Sequence, residues 1–198
     1  MVRNINSLGI SGIQGYPVSV ECSLTAGLPS FDIVGLPDAA VKESRERVRA
    51  ACKNCQFQFP VSRITINLAP ADMRKSGTMY DLPILLGILA AGSSIKAPGE
   101  DCAFLGELSL SGELRPISGA LSMALAAQRS GIKHLFVPAG CSTEAAFADG
   151  LNVYPVCHIR ELLDHLDGTK KISPVKKPDI TSDFTFDLDF ADVKGQEN

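Results

Sequence analysis

Lys75 and Ser76 stand side by side in a polar loop, Asp72 to Gly77, between an apolar alternating run and a long hydrophobic one. A serine hydroxyl with a lysine amine as its base is a nucleophilic pair able to open an amide bond. Neighbours in an extended loop point apart, so adjacency alone does not make that pair. Lys75 then reads as a solvated or phosphate-facing charge. Arg45 and Arg49 lie four residues apart in a charged helical run, while Arg63 lies inside the alternating run and Arg74 beyond it. Brought to one side by the fold, Arg45, Arg49, Arg63, Arg74 and Lys75 would make a DNA or subunit contact; left apart, they are solvated charges.

Metal chemistry has less support. Cys52-Lys53-Asn54-Cys55 is the one close pair among six cysteines. Zinc takes four ligands, and no second pair or paired histidine stands near it. Free thiols in a reducing cytosol are expected instead, at Cys22, Cys52, Cys55, Cys102, Cys141 and Cys157. His134, His158 and His165 are isolated and read as ordinary side chains. No metal and no cofactor is expected within these residues.

The elements that must position the loop can be read from spacing. Val61 to Leu68 alternates as a strand does, and Pro70 ends it because proline has no N–H for a ladder. Leu82, Leu85, Leu86 and Leu89, filled in by Ile84, Ile88 and Ala90, form a helix apolar on nearly every side. Such a helix belongs in a core, and this one is too short to span a membrane. Asp81 is its expected N-cap, with Pro83 in the first turn.

Upstream, Ile5 to Ile13, Tyr16 to Leu24 and Ser30 to Val34 read as a β-meander with Ser19, Glu21 and Ser23 on a wet face. Asp38 caps a helix reaching to about Cys52, with Val41, Ser44, Val48, Ala51 and Cys55 as its narrow inner stripe. Its Glu43–Arg47 pair is expected to be exposed and worth only about 0.3–0.5 kcal/mol. Downstream, Cys102 to Leu108 and Glu113 to Leu114 suggest a hairpin over Ser111-Gly112. A helix over Gly119 to Arg129, a strand at His134 to Val137, a helix from Ser142, a strand at Leu151 to Val156 and a helix at His158 to Leu166 follow. The fold class is therefore α+β, with α and β alternating around a mixed sheet in the second half.

The 198 residues, 45% hydrophobic, suit one globular domain plus a tail. A net charge of −3 makes the monomer no strong polyanion binder, so a nucleic-acid role needs a local basic face or repetition around a ring. No signal-like leader or membrane-length apolar run is present, and a cytoplasmic location is expected.

Asn67-Leu68-Ala69-Pro70-Ala71-Asp72-Met73-Arg74-Lys75-Ser76-Gly77-Thr78-Met79-Tyr80-Asp81-Leu82-Pro83 resembles the signature of the ComM/YifB family of magnesium-chelatase-like AAA+ proteins. The runs Phe31 to Ser44 and Phe104 to Ile117 resemble the same family, so the likeness covers residues 1 to about 168. It implies a Lon-protease-like fold, shared with the second domain of a small-subunit ribosomal protein and with the RadA C-terminal domain. Where that fold carries a catalytic serine this chain has Met79, and at the partner lysine it has Leu121. A thioether and an alkyl chain cannot perform nucleophilic attack and proton transfer, so Lys75, Ser76, Met79 and Leu121 read as a degenerate site.

Residues 169–183 are linker-like, with lysines and prolines and little to bury. In the last stretch, Phe190-Ala191-Asp192-Val193-Lys194-Gly195-Gln196 resembles the opening of an AAA+ module. The resemblance implies nucleotide contact by Val193, Gly195 and Gln196 in a full-length protein, with ATP and Mg²⁺ as that module's cofactors. The expected division is 1–168 as the Lon-like domain, 169–183 as linker and 184–198 as the start of an ATPase module. Phe184, Phe186, Leu188 and Phe190 would be mobile without the surface they cover in such a protein.

The family further implies an accessory, non-catalytic role on a hexameric motor for DNA branch migration in natural transformation. Its partners would be the chain's own ATPase module, neighbouring subunits, and single-stranded or branched DNA. The alternatives are a residual serine peptidase and a metal-chelatase motor subunit.

Overall fold

A computed structural model describes residues 2–177. The tail from 178 onward, with Val193, Gly195 and Gln196, lies outside the described residues.

The chain opens with two long antiparallel strands, β1 (Val2–Ser11) and β2 (Gln14–Thr25), paired from Val2↔Ser23 to Ser11↔Gln14. Strand β3 (Ser30–Val34) follows, then helix α1 (Ala39–Asn54) and strand β4 (Arg63–Ala69). The meander stops at β2. β4 inserts between β2 and β3, antiparallel to one and parallel to the other. The reason is α1: a helical connection returns the chain in the same direction, and β3–α1–β4 is a parallel crossover unit that no tight turn could make.

Helix α2 (Asp81–Ala91) runs through the core with every residue buried. It packs on β1 and β2, and Gly87 lets it approach Cys22 and Ile5. Then come β5 (Cys102–Phe104), β6 (Glu107–Leu108), β7 (Leu114–Arg115), α3 (Ala120–Arg129), β8 (His134–Pro138), the short α4 (Ser142–Ala145), β9 (Asn152–Val156) and α5 (Ile159–Asp167).

β5 joins the main sheet in parallel with β1 and β8, while β6 and β7 form a separate two-stranded hairpin. The expected single hairpin from Cys102 onward is therefore split. Gly106, at φ 158°, marks the break, since a side chain there would press on Leu114. The seven-stranded sheet has the order β3-β4-β2-β1-β5-β8-β9 and is mostly parallel, a mixed α/β architecture.

Helices cover the sheet unequally. α2 sits against the face bearing Ile5, Val20 and Cys22, whereas α3 lies on the opposite face, over Ile10 and Gly15 at the closed end of the β1–β2 hairpin. The rest of that second face stays partly open, with Ser19, Glu21 and Asn67 on it and Asn67 donating to Glu21 at 2.9 Å. No helix among the described residues is long and apolar enough to cross a membrane.

Candidate functional site

The loop from Pro70 to Thr78 leaves the end of β4 and feeds α2. Its shape comes from main-chain pinning. Gly35 and Leu36 both take positive φ, 95° and 58°. This turns the Leu36 carbonyl to accept from the Lys75 N–H at 3.1 Å, while the Lys75 carbonyl accepts from the Asp38 N–H at 2.9 Å. A left-handed leucine is costly, and it persists because the surrounding bonds fix it. The Asp38 carboxylate serves two elements. One oxygen caps α1 through the Val41 N–H at 2.8 Å, as its place in the sequence predicts; the other accepts from the Gly77 N–H at 3.3 Å.

Lys75 corrects the sequence expectation. It is neither solvated nor free to face a phosphate, for its side chain has no exposed surface. Its ammonium donates to the carbonyls of Pro70 and of Met73, the latter at 2.8 Å. Burial pushes its pKa below the ordinary lysine value, with Asp72 opposing. The charge thus fastens its own loop, where three donors can satisfy carbonyls that no ladder reaches. Ser76 beside it is exposed.

Met79 is buried, and its carbonyl accepts from the Gly106 N–H at 2.9 Å. Leu121 is half-buried in the first turn of α3, its N–H donating to Glu144 at 3.0 Å. Nearby, the Thr78 hydroxyl donates to Glu107 at 2.5 Å, and Glu107 meets Arg115 at 3.4 Å. Within this loop no hydroxyl bonds to a lysine or histidine nitrogen among the described residues.

Below the loop is an ion pair that spacing alone did not reveal. Asp81 is the first residue of α2, not its cap; Tyr80 holds the cap position, with no side-chain bond. The Asp81 carboxylate is fully buried and takes four donors. These are Ser44 at 2.5 Å, Arg47 at 2.6 and 3.0 Å, and the Leu108 N–H at 3.1 Å. Burial raises the carboxyl pKa, opposed by Arg47 and Ser44, and the hydrogen bond to Asp81 raises that of the guanidinium. Arg47 is therefore not part of a solvated face. Its contact with Glu43, at 3.7 Å, is secondary.

The fold divides the predicted basic set. Arg45, Arg49 and Arg63 are exposed and gather round the start of β3. Arg45 donates to the Phe31 carbonyl at 3.3 Å, Arg49 lies over the Phe59 ring at 5.6 Å, and Arg63 pairs in register with Ser30. Arg74 is exposed beyond the other end of β4, and Lys75 is inside.

The cysteines are free, with Cys157 exposed, Cys102 half-buried and Cys22, Cys52, Cys55 and Cys141 buried. Burial pushes Cys22 up to about 12 and Cys52 to about 11, leaving almost no thiolate near neutrality. Titration of the native chain with an aromatic disulfide reagent near pH 8 should show Cys157 reacting fast, and the four buried thiols only after unfolding. Rapid reaction of Cys22 or Cys52 would contradict the packing of β2 and α1. The histidines serve the structure. His158 caps α5 through Arg160 N–H, and His165 accepts from Ile172 N–H at 2.8 Å. His134 bonds Tyr154 at 3.1 Å.

The sequence model described as subunit ChlI of Mg-chelatase matches residues 20–140. An uncharacterized protein of Mycobacterium tuberculosis is 40% identical over 194 residues, covering 96% of this chain and 38% of that protein. Competence protein ComM of Haemophilus influenzae is 38% identical over 192 residues, covering 94% of this chain and 38% of its own length. Lon protease of Mycolicibacterium smegmatis is a more distant relative, 25% identical over 167 residues, covering 79% of this chain and 21% of that protein. The chain thus spans well under half the length of these curated relatives. With the family model covering more than half of its residues, the chain belongs to the magnesium-chelatase ChlI-like family.

Proposed function

We propose that this domain is a non-catalytic accessory module of a magnesium-chelatase-like AAA+ ATPase acting in DNA branch migration and recombination during natural transformation. What supports the first part is that Met79 and Leu121 stand where the resemblance to Lon-like peptidases expects the hydroxyl and the amine. The buried ammonium of Lys75, committed to its own loop, supplies no substitute base for Ser76. The name of the Haemophilus influenzae relative, a competence protein, favours the second part. In this reading the protein forms a cytoplasmic ring of six. ATP and Mg²⁺ sit in the ATPase module that Val193, Gly195 and Gln196 would enter. The partners are neighbouring subunits and single-stranded or branched DNA.

Two measurements test the reading. The 198-residue chain should leave casein intact and take up no serine-directed fluorophosphonate; a label on Ser76 would overturn it. In the whole protein, each of Arg45→Ala, Arg49→Ala, Arg63→Ala and Arg74→Ala that removes a phosphate contact should lower the salt slope of forked-DNA binding by roughly one. An unchanged affinity and slope in the fourfold variant would remove DNA from the roles of these arginines.

A further inference from the structure

Residues 169–177, linker-like by composition, lie bound to the domain. Past the end of α5 the Thr169 N–H donates to Asp167 at 2.8 Å and the Lys170 N–H to the Asp164 carbonyl at 3.0 Å. Farther on, the Val175 N–H donates to the Val153 carbonyl of β9 at 2.8 Å. Ile172 and Val175 are half-buried against the core. Lys177 ends the stretch on Asp149 at 2.6 Å, but both side chains of that pair are more than half exposed, so it holds little.

The attachment centres on His165. Its Nδ1 accepts from the Ile172 N–H at 2.8 Å, and its main-chain carbonyl accepts from the Lys171 ammonium at 3.1 Å. Phe136 and Tyr154 meet the imidazole edge-on, at 5.2 Å and 72° and at 5.1 Å and 63°, which fixes the plane of the ring. An Nδ1 that accepts belongs to a neutral ring with its proton on Nε2. An imidazolium carries hydrogen on both nitrogens. Its Nδ1–H would face the Ile172 N–H, donor against donor.

The groups around the ring do not favour its charge. Lys171 faces it from the strap, His134 from β8 and Tyr154 from β9; Lys96, Asp101 and Cys102 line the same cavity of about 590 Å³. Asp101 stands 3.8 Å from His134, not beside His165. On α5 itself, Glu161 is engaged by the Cys157 N–H at 3.0 Å, and Asp164 meets the strap only through its main-chain carbonyl. No carboxylate bonds His165 among the described residues. Burial first, then Lys171 and His134, push its pKa below the ordinary histidine value.

We infer that residues 169–177 are a proton-released strap: neutral His165 holds them on α5 and β9, and protonation of its imidazole sets them free. Closure is at full strength above the ordinary histidine value of about 6.5, where the ring is neutral in both states. It weakens as pH falls through that value toward the lower one of the closed state. Freed, the strap can extend to about 30 Å. Lys177 then changes from a fixed place beside Asp149 to the end of a loose tether. The inference holds whether or not the domain binds DNA.

Amide hydrogen exchange of the 198-residue chain, read as protection factors at about pH 7.5 and about pH 5.5, tests it. Protection at Ile172 and Val175 should fall severalfold on acidification, up to about tenfold, the most that one proton contributes a unit below the ordinary histidine value. The amides of α2 should keep theirs. His165→Asn offers an oxygen in place of Nδ1 and does not titrate, so protection at the two pH values should be equal. His165→Ala has no acceptor and should lower Ile172 protection already at the higher pH. In the wild type, the Ile172 amide and the His165 ring should titrate with one NMR midpoint. Unchanged wild-type protection, a His165→Asn strap that still opens with acid, a His165→Ala strap that stays fully protected, or two separate midpoints would each overturn the inference.

Discussion

Asp81→Asn should lower the unfolding free energy by about 3–5 kcal/mol, the usual cost of leaving one partner of a buried ion pair behind. For a domain of this size that is a fall of roughly 6–20 °C in thermal midpoint. The carboxylate has no exposed surface, and Arg47 is only 18% exposed, so water cannot take over the interaction. The asparagine would keep the shape and lose the charge that Arg47, Ser44 and the Leu108 N–H all address. The damage should spread, because those partners lie on α1 and β6 while Asp81 opens α2. Arg47→Met alone should cost a comparable amount. The double variant R47M/D81L should recover more than half of the loss, since an apolar pair in that space no longer strands a charge. Urea unfolding of the wild type, R47M, D81L and R47M/D81L measures the coupling; strictly additive losses would show that the pair is not a unit.

Gly35→Ala should cost about 2–5 kcal/mol, combining left-handed strain with an overpacked contact. At φ 95° an alanine is already disfavoured, and its Cβ would stand 2.2 Å from the Leu68 carbonyl oxygen. That oxygen belongs to β4, so neither side can move without breaking the β3–β4 ladder. Gly150→Ala is the control. Gly150 also has positive φ, 73°, but nothing lies within 4 Å of its would-be Cβ, and the change should cost only about 1–2 kcal/mol. Equal urea midpoints for the two variants would refute the close approach at Leu68.

Much of this architecture was legible in the residues. Alternation gave β2 and β4 to within a few positions, because one face of each strand is more deeply buried than the other. The uninterrupted apolar run of α2 announced a helix surrounded by protein, and it is. The neighbours of β3 were not legible, since local pattern carries no information about which strand will be inserted later.

The site was harder to read, for a common reason: a charged side chain looks solvated until its partner is known. Lys75 and Arg47 sit in polar company along the chain, yet both turn inward to oxygens that sequence distance hides. Two signs pointed to the second case. Ser44 occupies an apolar stripe, and Asp81 opens a helix with no other charge. Two polar groups at inward positions of packed elements invite the question of what they hold. No comparable sign marked Lys75, whose partners are main-chain carbonyls.

The divided carboxylate of Asp38 has a mechanical consequence. With one oxygen on the first turn of α1 and the other on Gly77, widening the loop and fraying that helix become a single movement. A partner that tugged the exposed flank of α1 would therefore have a lever on the Pro70–Thr78 loop, and strain entering through the loop would travel out along the helix axis by the same joint.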